Sequence, residues 1–190
     1  MILLLTLILM NKHPFIFTPH APERVSICSH HLIIHAKVAS TSLRGCGAYV
    51  DPSDAWDRPT IALIREPLQR WVAGYCMYLY ELAKWSDGHP RFRSPRHFVY
   101  DVHTTQQAYK VHKDTHLIRF EDIQQYADRC QFNLPHLHNM KRAYIKSQLI
   151  QWLKDNPTFK HQLKHHLRLD YQLRDRCQSV QSLPENLFIR

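Results

Sequence analysis

Glycine is scarce in this chain, with four residues in 190 beside eleven prolines, and that poverty excludes collagen-like and flexible-linker compositions. No apolar run approaches the roughly 20 residues that a membrane-spanning helix needs. Five cysteines, Cys28, Cys46, Cys76, Cys130 and Cys177, include no CxxC pair. They are spread too evenly to frame a small disulfide scaffold, so reduced structural thiols are expected, with one or two disulfides as the alternative. Acidic residues are few: 16 Asp+Glu against 25 Lys+Arg leave a net charge of +9. Such a surface attracts polyanions, whether nucleic acid, anionic lipid, a phosphorylated cofactor or an acidic glycan. What is abundant is apolar residues, 44% of the chain, enough for one globular domain that buries roughly 70% of its unfolded surface.

Residues 1–20 are set apart as an apolar, extended segment outside the core, and residues 21–190 are read as the domain. MILLLTLILM at 1–10 would span only about 15 Å as a helix. It lacks the leading basic residues and following cleavage site of a signal peptide. A truncated signal-anchor, an added docking strand and a start at Met10 all remain open. A cytoplasmic location is expected, and contact with a membrane through residues 1–10 is the less favoured alternative.

HLIIH at 31–35 reads as a buried strand, followed by AKVASTSLRGCG, where Ser40, Thr41 and Ser42 can cap a short helix. TIALI at 60–64 is a second buried strand running into REP, and Pro67 suits a first helical position. Leu68, Trp71, Val72, Tyr75, Leu79 and Leu82 recur at helical spacing, which predicts a helix from Pro67 to about Lys84 with Trp71 and Tyr75 in the core. Ser94-Pro95 suggests another helix through Val102. THLIRF at 115–120 is a third strand, with Glu121-Asp122 opening a helix through Arg129. From Lys141 to Cys177 the chain is helical with a break at Asn156-Pro157. Ile145, Leu149, Trp152 and Leu153 are expected to face one way, and Phe159, Leu163 and Leu167 another. This stretch holds nine Lys/Arg against three Asp. Strands alternating with helices argue for a small three-layer α/β domain with a central parallel sheet flanked by helices.

The two strand-to-helix turns carry the chemistry. HAKVASTSLR at 35–44 and LIREPLQRWVAGY at 63–75 would both sit at the carboxyl ends of strands, where open α/β sheets bind ligands. Backbone N–H groups around Ala39 to Ser42 and three hydroxyls would cradle a phosphate, with Lys37 supplying a full charge. Arg65 could grip a second phosphate with two parallel N–H donors. Two anion sites on adjacent strands fit a nucleotide phosphorylated at both ends of its ribose. Neither GxxxxGK[ST] nor a strand-following GxGxxG is present, so the ATPase and dinucleotide readings lose their usual support. A metal centre is not expected: His161 with His165, and His136 with His138, lack a third ligand at sensible spacing.

KVASTS after one strand and IREPLQRWVAGY after another resemble the two cofactor motifs of sulfotransferases that use 3′-phosphoadenosine 5′-phosphosulfate (PAPS). The wording is closest to the Golgi-type carbohydrate sulfotransferases of the chondroitin and HNK-1 group. IRFEDI at 118–123 and LDYQL at 169–173 resemble later landmarks of the same families. The resemblance implies a P-loop-like fold, a PAPS co-substrate and sulfuryl transfer to a hydroxyl acceptor of carbohydrate type, without metal. It assigns Lys37, Val38, Ala39, Ser40, Thr41 and Ser42 to the 5′-phosphosulfate loop, and Arg65 and Arg70 to the 3′-phosphate segment, where Arg70 has a structural role as its alternative. Lys37 would meet the charge developing on the leaving group. Candidates for the acceptor's general base are Asp51, Asp54, Asp57 and His89, with Asp57 favoured for preceding the second strand. Ala73 stands where the family has a serine, which removes one hydroxyl contact of about 1 kcal/mol. The competing class is a non-catalytic basic module for nucleic acid or acidic glycan that retains a nucleotide pocket; no recognised nucleic-acid-binding signature accompanies it, and no specific nucleic-acid partner is expected.

Overall fold

The computed structural model describes residues 23–35, 37, 38, 43–50, 57–86, 88–134 and 143–189. Two of its strands are buried at every position because both of their faces are covered, as in parallel sheets. Strand β1 (Glu23–Ile27) pairs antiparallel with β2 (His30–Ile34) across a two-residue turn, and β3 (Ala48–Val50) pairs antiparallel with the other edge of β1. β2 then runs parallel to β4 (Thr60–Ile64), which runs parallel to β5 (His116–Arg119). The order across the sheet is β3-β1-β2-β4-β5. All five residues of β2 and of β4 are buried.

The protein is thus α/β, but its sheet is mixed where a purely parallel one was expected. Half of the departure lies in β1. ERVSI is polar at both its first two positions, and the turn after it offers Cys28-Ser29 in place of the Gly or Asn that marks a hairpin. Cys28 nonetheless takes a φ of 51° there.

Side-chain alternation gives the sheet two apolar faces. On one, Val25, Ile27, Leu32, Ile34, Ile61, Leu63 and Ile118 pack with Tyr126 and Cys130 at the end of helix α2 (Ile123–Arg129) and with Val180, Leu183 and Leu187 of the C-terminal segment. On the other, Ile33, Ala62, Ile64 and Leu117 meet Leu173. Outside the sheet, helix α1 (Pro67–Trp85) presents Trp71, Val72, Tyr75, Cys76 and Leu79 to Ile145, Leu149 and Leu153 of α3 (Ala143–Asp155) and to Leu163 of α4 (Pro157–His166). The apolar sides of α3 and α4 therefore converge on one cluster instead of facing apart. Helix α5 (Arg168–Asp175) carries Leu173 and closes the second sheet face.

The start of α1 is fixed by sequence. Glu66 accepts the Gln69 N–H at 2.5 Å, and Pro67, with no N–H to satisfy, follows it. Residues 94–102 do not form the expected helix. Side chains take the backbone groups that a helix would use: Trp71 Nε1 donates to the Phe98 carbonyl (2.6 Å), Tyr75 Oη to that of Arg93 (2.9 Å), and Tyr100 Oη accepts the N–H groups of Arg96 and His97. Gly74 lets this loop lie against α1, because a methyl group at that position would overlap the His103 carbonyl.

Candidate functional site

β2 and β4 are adjacent and parallel, so their carboxyl ends open on the same edge of the sheet. Immediately past β2, the Val38 N–H donates to the His35 carbonyl (3.2 Å), closing a turn in which Lys37 holds a φ of 66°. A non-glycine residue in that left-handed region is uncommon and concentrates at ligand sites. Immediately past β4, the Arg65 guanidinium donates from Nη1 to the Lys37 carbonyl at 2.9 Å. The lysine-bearing and arginine-bearing turns are therefore in direct contact.

Arg65 is held on several sides. Its N–H donates to Gln107 Oε1 and its carbonyl accepts from Gln107 Nε2, each at 3.2 Å, and its guanidinium lies 5.4 Å from the centre of the Phe120 ring. Gln107 is itself buried, in the 3₁₀ turn Gln107–Lys110. Burial lowers the Arg65 pKa, while Glu121 and Glu66 act in the opposite sense. Lys110, at the end of the same turn, has its pKa lowered by burial and by the charge of Arg70. Beneath these cations lies His35, buried, with its Nε2 unpartnered. Burial, then the charges of Arg70 and Lys110, press its pKa down to about 3, so the ring is neutral.

The four sequence landmarks interlock. Arg70 is buried, donates to the carbonyls of His103 and Thr105, and pairs with the buried Asp170 at 3.7 Å. Asp170 Oδ1 also accepts the Ala108 N–H at 2.9 Å. Tyr171 Oη donates to Glu66 Oε1 (3.0 Å), and Arg174 donates to both oxygens of Glu121 (3.1 and 3.2 Å). Helix α5 thus fastens the REP turn and the FED segment to each other.

Several expected site residues receive a definite place. Lys37 is half-buried at the mouth and Arg65 lies beside it. Val38 is a core residue, 1% exposed, so only its backbone can face a ligand. Arg70 points into the protein, which favours its structural alternative over contact with a cofactor. Asp57 is a correction. It precedes the first residue of β4, whereas Arg65 follows the last, so the length of the strand, about 17 Å, separates them. Nearness to the strand in sequence placed Asp57 at the wrong end of it. His89 follows α1, whose 19 residues carry the chain roughly 28 Å from Arg65. Ala39, Ser40, Thr41, Ser42, Asp51 and Asp54 lie outside the described residues, as do His136 and His138. Sequence reasoning missed Gln107, Lys110 and His35. The first two sit in a short 3₁₀ turn without a motif, and His35 read as the end of an apolar strand.

Among the described residues no group of three or more His, Cys, Asp or Glu could hold a metal ion, and no helix is long and apolar enough to cross a membrane. No family model, curated protein or solved structure matches the chain.

Proposed function

We propose that this protein is a PAPS-dependent sulfotransferase with a P-loop-like nucleotide site, moving a sulfuryl group to a hydroxyl, of carbohydrate type, and releasing 3′,5′-ADP. The observation that carries the reading is the 2.9 Å bond from Arg65 to the Lys37 carbonyl. It joins the two turns that a doubly phosphorylated nucleotide would need side by side, at the strand ends where open α/β sheets take ligands.

In this reading the Lys37 ammonium and the amides after it receive the 5′-phosphosulfate, and Arg65 receives the 3′-phosphate with the N–H groups not given to Lys37. Lys110 adds positive potential at the same end. The acceptor oxygen attacks sulfur as the bond from sulfur to the bridging phosphate oxygen breaks. The electron pair leaves on the phosphate, and the acceptor proton passes to a base. Negative charge grows on the leaving oxygen, where a fixed cation such as Lys37 stabilises it more in the transition state than before. Asp57 and His89 lie too far from Arg65 to be that base.

Thermal shift at fixed salt with 3′,5′-ADP against AMP tests the site. Selective stabilisation by the bisphosphate is expected. Equal response to both, or salt-sensitive binding to any polyanion in its place, would mean a basic binding module instead. Transfer from radiolabelled PAPS to a panel of sugar, lipid and phenolic hydroxyls then identifies the acceptor.

A further inference from the structure

Opposite in role to the candidate site, a cavity of about 340 Å³ is lined by Ser26, Ile27, Cys28, Cys46, Cys130 and Phe132. Three of the five cysteines of the chain thus meet at one place, although they are 18 and 84 residues apart in sequence (46 − 28 and 130 − 46). Cys28 and Cys46 are half-buried and Cys130 is buried; none is disulfide-bonded in this structure. Burial, then the neighbouring Cys28, raise the pKa of the Cys130 thiol. From this convergence we propose that Cys28 and Cys130 are a redox pair which closes to a disulfide under mild oxidation.

Three features of the backbone support it. Cys28 occupies a hairpin turn at a φ of 51°, a conformation that glycine adopts without cost and a side chain does not. Here the strained position holds a thiol on the wall of the cavity that Cys130 also lines. Cys130 is the C-cap residue of α2, fixed by its N–H to the Tyr126 carbonyl (3.0 Å). Gly47 lets the Cys46 segment close on the same cavity, since a methyl there would overlap the Ser26 carbonyl and Ile27.

A buried hydrogen-bonded chain fixes Tyr126 beside Cys130. His30 Nδ1 lies 2.7 Å from the Leu187 carbonyl, which can only accept, so that nitrogen carries the proton. Burial presses the His30 pKa down to about 4, leaving Nε2 bare to accept from Tyr126 Oη at 2.6 Å. Tyr126, held in this way, packs with Cys130 in the same apolar cluster. Cys28 is half-buried and Cys130 buried, so a dissolved disulfide meets Cys28 first and Cys130 second; burial and the neighbouring Cys28 push the Cys130 thiol up to about 12.

A low-molecular-weight disulfide such as oxidised glutathione supplies the oxidising power. The Cys28 thiolate attacks it, expelling one glutathione thiolate and forming a mixed disulfide. The Cys130 thiolate then attacks the Cys28 sulfur and expels the second. Two S–H bonds are lost and one S–S bond is gained; the two electrons and two protons leave as two molecules of glutathione.

The experiment uses the full chain, reduced and then incubated with oxidised glutathione, its remaining thiols capped with N-ethylmaleimide and the digest mapped by mass spectrometry. Trypsin places Cys28 in residues 25–37, Cys46 in 45–65 and Cys130 in 130–141, so each pairing has its own mass. The expected result is a cross-link between the first and third peptides, with a rise of roughly 10 °C in the unfolding temperature that dithiothreitol reverses. Cys46→Ser should keep the cross-link. Five capped thiols in the wild-type protein, a cross-link joining any other pair, or its loss in Cys46→Ser would overturn the proposal.

Discussion

Lowering the pH from about 7 to about 5 should remove a large share of this protein's stability through two buried histidines. His30 and His35 have pKa values pressed down to about 4 and about 3, against 6.5 for the ordinary side chain. Their folded-state values lie below their unfolded ones, so in that window the unfolded chain binds the extra protons. Stability is therefore full above pH 6.5 and falls as the pH drops towards 4 for His30 and towards 3 for His35. At pH 5 each histidine is mostly protonated in the unfolded chain and mostly neutral in the fold, a difference of roughly 2 kcal/mol per residue, or about 4 kcal/mol together. Domains are stable by only about 5–15 kcal/mol in total. Urea unfolding at the two pH values reads this as a fall in midpoint at constant slope. The double variant His30→Asn/His35→Gln should lose most of the pH dependence. An unchanged wild-type midpoint, or a variant that keeps the full dependence, would refute the assignment of the buried neutral rings.

Asp170→Asn preserves shape but leaves the buried Arg70 guanidinium 3.7 Å from an uncharged group, and should cost about 3–5 kcal/mol, measured by urea unfolding. Gly74→Ala forces α1 away from the His103 carbonyl and should cost about 1–3 kcal/mol, with a matching fall in the thermal midpoint. Arg65→Ala should weaken 3′,5′-ADP binding by tenfold or more in calorimetry, on the order of 1.4 kcal/mol; unaltered affinity would break the two-phosphate reading. Lys37→Met should abolish transfer from PAPS while circular dichroism stays that of the wild type, and undiminished turnover would remove the lysine from the chemistry.

Legibility in the sequence followed how local the cause was. TIALI declared β4 to the residue because a doubly covered strand is apolar throughout, and Pro67 with the spacing of Trp71, Tyr75 and Leu79 declared α1. β1 escaped because its buried Arg24 reads as a surface residue, and β3 because three residues carry no period. Loop 94–102 was misread as helix because side chains take its backbone groups, Trp71 from α1 and Tyr100 and Thr104 from the loop itself and just after it, and helix propensity does not register such bonds. At the site, Lys37 and Arg65 were legible as motif residues, and their contact follows from two neighbouring parallel strands. Gln107 and Lys110 were not, since only the tertiary fold brings their turn beneath Arg65. The place given to Asp57 went wrong because proximity in sequence does not say which end of a strand a residue occupies.

The ties from α5 have a consequence for biosynthesis. Arg70, Glu66 and Glu121 are all made well before Asp170, Tyr171 and Arg174, their respective partners. A growing chain on the ribosome therefore carries an arginine destined for burial with no counter-charge to bury it beside, and the turn after β4 stays unfastened until translation has passed residue 174. Maturation of this protein is governed by its last helix, so premature stops that spare every motif residue before it should still yield material that chaperones retain and proteases clear.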